Sequence, residues 1–232
     1  MPDVALVQGA SRGLGLAFVK RLIGQFPSSK IIATCRDPNS ALALQKLVEL
    51  NPKRVTLLRL DVTDEDSLEA VAEAVSVSGN PIDLLINCAG VLHSPEGLRP
   101  EKRLQDVCLN NLEQYFRINT IGPLMVAKHL VPLMTRRERA IIANLSARVG
   151  SISDNRLGGW YGYRASKSAQ NMMTKTLSIE LKRTHPELIC VGLHPGTVAT
   201  ELSAPFSSRV DPEKLFSPEE AATKLLAVIE KL

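Results

Sequence analysis

The chain has 232 residues, of which 44% are hydrophobic and 22% charged, the balance of an ordinary globular protein. Its 28 basic and 24 acidic residues leave a net charge of +4, and no Lys/Arg run exceeds a pair, which argues against nucleic acid and membrane partners. No apolar run approaches the ~20 residues of a membrane span and no signal-peptide pattern is expected. Cys35, Cys88, Cys108 and Cys190 are dispersed without a CxxC pair, so reduced thiols of a cytoplasmic protein are expected rather than disulfides or a metal site.

Short apolar runs at 4–7, 30–35, 55–60, 84–87, 140–145 and 188–193 predict strands covered on both faces. Between them, amphipathic stretches at 13–26, 41–50, 67–77, 112–135 and 163–185 predict helices. In the first of these, Leu14, Phe18, Leu22 and Phe26 recur every four residues. This alternation is that of an α/β doubly wound parallel sheet with helices on both faces. No linker or repeat divides the chain, so residues 1–232 are expected to form a single domain. Ser217-Pro-Glu-Glu220 combines an N-cap serine, a proline at the first helical position and a capping-box glutamate, and predicts a last helix running to Leu232.

The first strand is followed by Gly9-Ala-Ser-Arg-Gly13-Leu-Gly15. Glycines at a strand-to-helix junction let the backbone approach a pyrophosphate seated on the helix N-terminus. Gly9, Ser11, Arg12, Gly13, Leu14 and Gly15 are therefore candidate cofactor contacts, with a structural tight turn as the alternative. The second strand ends in Arg36, where a guanidinium would pair with the 2′-phosphate of NADP, and Arg12 could close on the same group. Asp37, one residue on, is acidic and leaves NAD as an alternative.

Five motifs then occur in order: the glycine loop, Asp61-Val62, Asn87-Cys-Ala-Gly90, Tyr163-xxx-Lys167 and Pro195-Gly196. Together they resemble the short-chain dehydrogenase/reductase family across almost the whole chain. The run from Ala147 to Ala169 resembles the C-factor/sniffer-type carbonyl reductases within it. The resemblance implies a Rossmann-type fold, an NADP (NADPH) cofactor and a small-molecule carbonyl or alcohol substrate. Association through long helices into a homodimer or homotetramer is also implied.

Spacing selects Tyr163 over Tyr161, because residues four apart share one helix face and Tyr163 precedes Lys167 by four. A positioned phenol can protonate a carbonyl oxygen as hydride reaches the carbon. A neighbouring ammonium is expected to lower the phenol's pKa from ~10. The resemblance further implies that Lys167 holds the nicotinamide ribose and that Asn119 matches an asparagine whose bound water links that lysine to solvent. It places Asp61 and Val62 at the adenine, Asn87, Ala89 and Gly90 along the adenosine-side ribose, and Pro195, Gly196, Val198 and Thr200 beside the nicotinamide.

Two departures stand out. Ala147 occupies the place of the family's catalytic serine, which leaves Ser146 as the candidate that polarises the substrate carbonyl and Ser151 or Ser153 as substitutes. The family's usual final strand has no counterpart before the sequence stops. Segment 199–216 is expected to cover the substrate pocket and to order on binding, with 93–103 as the opposite rim. A non-catalytic NADP-binding sensor or partner-binding protein is the rival reading.

Overall fold

The computed structural model describes residues 2–136 and 138–232; Met1 and Arg137, which the single-domain reading includes, lie outside the described residues. Its strands are β1 (Val4–Gln8), β2 (Lys30–Cys35), β3 (Val55–Arg59), β4 (Leu84–Asn87), β5 (Ala140–Leu145) and β6 (Leu188–Leu193). They form one parallel sheet in the order β3-β2-β1-β4-β5-β6. The two halves wind outward from a switch point between β1 and β4, and ligands of such sheets bind beyond the carboxyl ends of the strands there. Among the described residues no strand follows β6 in this sheet.

The helices are α1 (Gly13–Gln25), α2 (Leu42–Leu50), α3 (Glu65–Ser78), α4 (Leu109–Phe116), α5 (Gly122–Leu130), α6 (Tyr161–Glu180) and α7 (Pro218–Lys231). Strand alternation sorts the core into two layers. Ala5, Val7, Ile31, Ala33, Ile86 and Ala143 pack with Phe18 and Leu22 of α1, Leu44 of α2 and Leu226 of α7. Leu6, Ile32, Leu85 and Ile142, one residue out of phase, pack with Leu68 and Val71 of α3 and Val126 and Leu130 of α5. Phe18 and Leu22 are fully buried, and each contributes ~2–3 kcal/mol by removing apolar surface from water. Among the described residues no helix is long and apolar enough to cross a membrane.

Two features differ from the sequence reading. The predicted helix 112–135 is α4 and α5 joined by a π-helical segment, Arg117–Ile121, and closed by a 3-10 turn, Val131–Leu133. The cause is Pro123: it has no N–H for the carbonyl of Asn119, four residues back, and the ladder widens so that Gly122 N–H reaches Arg117 O. Beyond β6, Thr197–Val198 (β7) pairs in parallel with Leu215–Phe216 (β8), two-residue strands too short to leave a periodic pattern. Between them, segment 199–216 holds the 3-10 turns Ala204–Arg209 and Pro212–Lys214. It thus has regular structure of its own, whereas the sequence suggested ordering on binding.

Candidate active site

The glycine loop leaves β1 with Gly9 at φ 80° and passes Gly13 at φ 54°, both in the left-handed region that glycine tolerates. A Cβ on Gly15 would lie 2.1 Å from Gly9 O, and one on Gly9 would lie 2.7 Å from Ala89 N. Loop, α1 and the segment after β4 therefore meet backbone to backbone. Arg12 is the N-cap of α1 but supplies no side-chain cap, and the first turn holds no acidic residue. The leading N–H groups thus suit an anion. Leu14 is buried beneath the loop and Ser11 is half-buried on it.

Arg36 is exposed at the tip of β2. Asp37, also exposed, has its Oδ1 accepting Asn39 N–H at 3.0 Å within its own loop. Arg12 Nη1 pairs with Glu201 Oε2 at 2.7 Å, both side chains 72% exposed. Such a pair is worth only ~0–1 kcal/mol, so a phosphate can take the guanidinium over.

Asp61 Oδ1 accepts both the N–H and the Oγ1–H of Thr63, at 2.9 and 2.8 Å, which fixes the turn after β3. Val62 is buried, its Cγ2 2.8 Å from where a Cβ on Gly122 would sit. Asn87 Nδ2 donates to Asn144 Oδ1 at 2.7 Å, while Asn87 Oδ1 is buried without a partner. Ala89 N–H donates to Gln8 Oε1 at 3.1 Å. A Cβ on Gly90 would stand 3.3 Å from Asn119 Oδ1 and 3.7 Å from Lys167 Nζ, so the segment after β4 passes close to both side chains. Pro195 and Gly196, the latter at φ 77° with the Phe216 ring 2.8 Å from its missing Cβ, lead to buried Val198. Thr200 Cγ2 then comes within 3.3 Å of the Cβ position on Gly13. The glycine cradle, the uncapped α1 and the orphaned Asn87 Oδ1 fit a dinucleotide laid across the strand ends.

Helix α6 brings Tyr163 and Lys167 to the same end of the sheet. Tyr163, Ser166, Lys167, Gln170 and Thr174 share helical spacing and are all buried. Lys167 Nζ donates to Leu145 O at 2.8 Å and to Gln170 Oε1 at 3.1 Å. Asn119 Oδ1 accepts Val91 N–H at 2.7 Å, and its Nδ2 donates to Val91 O and to Ser166 Oγ at 2.9 and 3.1 Å. Asn144 Nδ2 donates to Thr174 Oγ1 at 2.9 Å, which extends the network to the sheet centre. Ser166, Gln170, Thr174 and Asn144 were not singled out from sequence, although polar residues at helical spacing around Tyr163 and Lys167 were a readable signal.

The electrostatics reverse one expectation. Burial pushes the Tyr163 phenol up to about 12 and the Lys167 ammonium down to about 8. Desolvation governs both groups, and the lysine spends its hydrogen bonds on Leu145 and Gln170. The expected lowering of the phenol by the ammonium is absent from this state of the protein.

Ser146 and Ala147 have different surroundings. Ser146 Oγ donates to Asn171 Oδ1 at 2.7 Å, beside Gly192 of the edge strand β6. Ala147, the next residue, packs instead with the cluster of Leu92, Leu98, Tyr115 and Tyr163. Successive residues leaving β5 face different sides, and the side with Tyr163 carries a methyl group. Ser151 and Ser153 face each other at 3.3 Å on the following loop. Tyr161 heads α6 and lines a cavity of about 280 Å³ with Val149, Ser151, Ile152 and Arg164.

With this fold and geometry in view, the comparisons are consistent. The family model described as short chain dehydrogenase matches residues 3–211. The chain belongs to the short chain dehydrogenase family and is an oxidoreductase of that class. It is 31% identical to the NADPH-bound carbonyl reductase from chicken fatty liver, with a TM-score of 0.87 over 99% of this chain and 92% of that one. The carbonyl reductase Sniffer of D. melanogaster has a TM-score of 0.87 at 28% identity, over 100% of this chain and 93% of that one. The 1-hydroxy-2-glutathionyl-2-methyl-3-butene dehydrogenase of Rhodococcus sp. is 30% identical over 99% of this chain and 92% of its own.

Proposed function

We propose that this protein is an NADP-dependent reductase of small carbonyl compounds, or an oxidant of the matching alcohols, carried by a single dinucleotide-binding domain with Tyr163 as its acid/base. The observation that carries this reading is the placing of Tyr163 and Lys167 on the buried face of α6, with Lys167 Nζ 3.7 Å from the Cβ position of Gly90. Gly9, Ser11, Gly13, Leu14 and Gly15 would cradle the pyrophosphate, Arg12 and Arg36 would hold the 2′-phosphate, and Asp61, Val62, Asn87, Ala89 and Gly90 would line the adenosine half. Pro195, Gly196, Val198 and Thr200 would flank the nicotinamide. NADPH, when bound, supplies the hydride. A phenol held at about 12 is protonated at neutral pH and so is ready to deliver its proton from Oη to the carbonyl oxygen. Lys167, held by Leu145 O and Gln170, would return a proton to it, with Asn119 beside Ser166 supporting the same turn of α6.

NADPH consumption across a panel of aldehydes, ketones and quinones tests the proposal; turnover with at least one, and little with NADH, is expected. Ala147 in place of a hydroxyl is the observation that favours a cofactor-binding sensor instead. Tight NADPH binding with no turnover on any carbonyl would establish that second reading.

A further inference from the structure

The segment 91–103 contributes one side chain that the proposed chemistry does not use. Glu101 is 2% exposed. Its Oε2 accepts Gly162 N–H at 3.1 Å, its main-chain carbonyl accepts Trp160 N–H, and its Oε1 has no partner. A carboxylate is seldom buried this deeply without a cation, so a specific task is implied. Its two bonds grip the residues that flank the start of α6, immediately before Tyr163.

The surroundings limit what else can sit there. A Cβ on Gly162 would lie 2.4 Å from Tyr115 Cδ2 and 3.0 Å from Glu101 Oε1. Trp160 adopts φ 53°, a left-handed conformation that side chains rarely take, and its N–H bond to Glu101 holds it there. The Trp160 and Tyr115 rings meet the Tyr163 ring edge-on, with centroids 6.1 and 6.2 Å away. Tyr115 is itself fixed, donating from its hydroxyl to Leu92 O at 2.7 Å.

We propose that Glu101 is a positioning residue for Tyr163, its side chain clamping the first turn of α6 through the Gly162 N–H, next to the Trp160 N–H held by the main-chain carbonyl of the same residue, so that the phenol is held at one place in the cleft. This rests on the reading of Tyr163 as proton donor. What the clamp requires is an acceptor oxygen at the reach of a glutamyl side chain. The charge itself is not required.

Reach and charge separate cleanly in two variants. Glu101→Gln keeps the reach without the charge; Glu101→Asp keeps the charge and falls one methylene short. The expected result is a kcat within about threefold of wild type for Gln and a loss of roughly 10- to 100-fold for Asp, with the NADPH dissociation constant within about twofold in both, since a displacement near 1 Å is that costly. Trp160 is the only tryptophan of the chain and its ring packs edge-on against Tyr163, so intrinsic fluorescence of the cofactor-free protein reports on the turn that the Glu101–Gly162 bond holds. Its emission should be unchanged in Gln and shifted in Asp. Asp equal to or better than Gln in kcat, or a folded Gln variant with kcat lost, overturns the proposal. Should Asp fail to fold, the Gln variant alone decides by the same criterion. Tyr163→Phe is measured alongside. If it retains turnover, the proton-donor reading has failed, and the Trp160 emission of the two Glu101 variants then judges the clamp alone.

Discussion

Ser146 and Ala147 differ by one position and have opposite surroundings. The Ser146 hydroxyl is bonded to Asn171, so Ser146→Ala should cost about 1 kcal/mol of stability and leave turnover within about twofold. Ala147 lies with Tyr163, so Ala147→Ser places a donor on the reacting side. An oxyanion-type donor contributes ~100- to 1000-fold, and a rise in kcat of about tenfold or more is expected even from an imperfectly aimed one. Steady-state kinetics on a good carbonyl substrate checks both; a silent Ala147→Ser with a crippled Ser146→Ala would reverse the assignment. Lys167 makes a separate prediction through pH. Below its folded value of about 8, both folded and unfolded chains carry the charge, and the folded chain bears the cost of burying it. Between about 8 and the ordinary 10.5 the unfolded chain binds more protons, so this residue's contribution to stability rises with pH, by up to about 1.4 kcal/mol per unit. Tyr163, moved from 10.0 to about 12, acts in the opposite sense above pH 10. The unfolding free energy of wild type minus that of Lys167→Met should therefore climb between pH 8 and 10 in denaturant titrations. A flat difference would contradict the burial account of the lysine.

At the scale of elements, α7 offers a clean test because it is tied down by identified bonds. Ser217 Oγ accepts Glu220 N–H at 3.2 Å, Glu220 Oε2 accepts Ser217 N–H at 2.8 Å, and Leu226 and Ile229 bury against the α1 layer. Ser217→Ala should cost ~1 kcal/mol and lower Tm by about 2–4 °C, as read by calorimetry, with NADPH affinity unchanged. That cap was legible in the sequence because serine, proline and glutamate each have a local reason to be where they are. The six main strands were legible for a similar reason: apolar runs buried on both faces admit few alternatives. The break between α4 and α5 was hidden, since Pro123 lies in a stretch whose apolar spacing continues on both sides, and only the missing bond to Asn119 reveals the widened turn. β7 and β8 were hidden because two residues make no period. The Asn171 partner of Ser146 was not legible, because Gly192 of β6 and Asn171 of α6 come together with it only in three dimensions. Glu101, distant in sequence from Tyr163, had no local signature at all.

For the whole molecule, cofactor and chemistry are joined across the sheet. The glycine loop and Arg36 lie at the carboxyl ends of β1 and β2, and the α6 face packs beyond β4 and β5. Asp37 Oδ1 accepts Asn39 N–H, and Arg36 is the residue proposed to discriminate at the adenosine end. Arg36→Ala should weaken NADPH by about ten- to a hundredfold, the ~1.5–3 kcal/mol of a charge-assisted contact, and leave NADH nearly unchanged in binding titrations. Equal losses for both cofactors would remove the basis for calling the protein NADP-dependent. The claim on which everything else depends is that Tyr163 gives the proton. The single-turnover rate of NADPH oxidation on one good carbonyl substrate, compared between wild type and Tyr163→Phe at saturating NADPH, tests it most directly. A fall of about 100- to 10,000-fold, with the NADPH dissociation constant within about twofold, is the predicted result; a rate within threefold of wild type would contradict it.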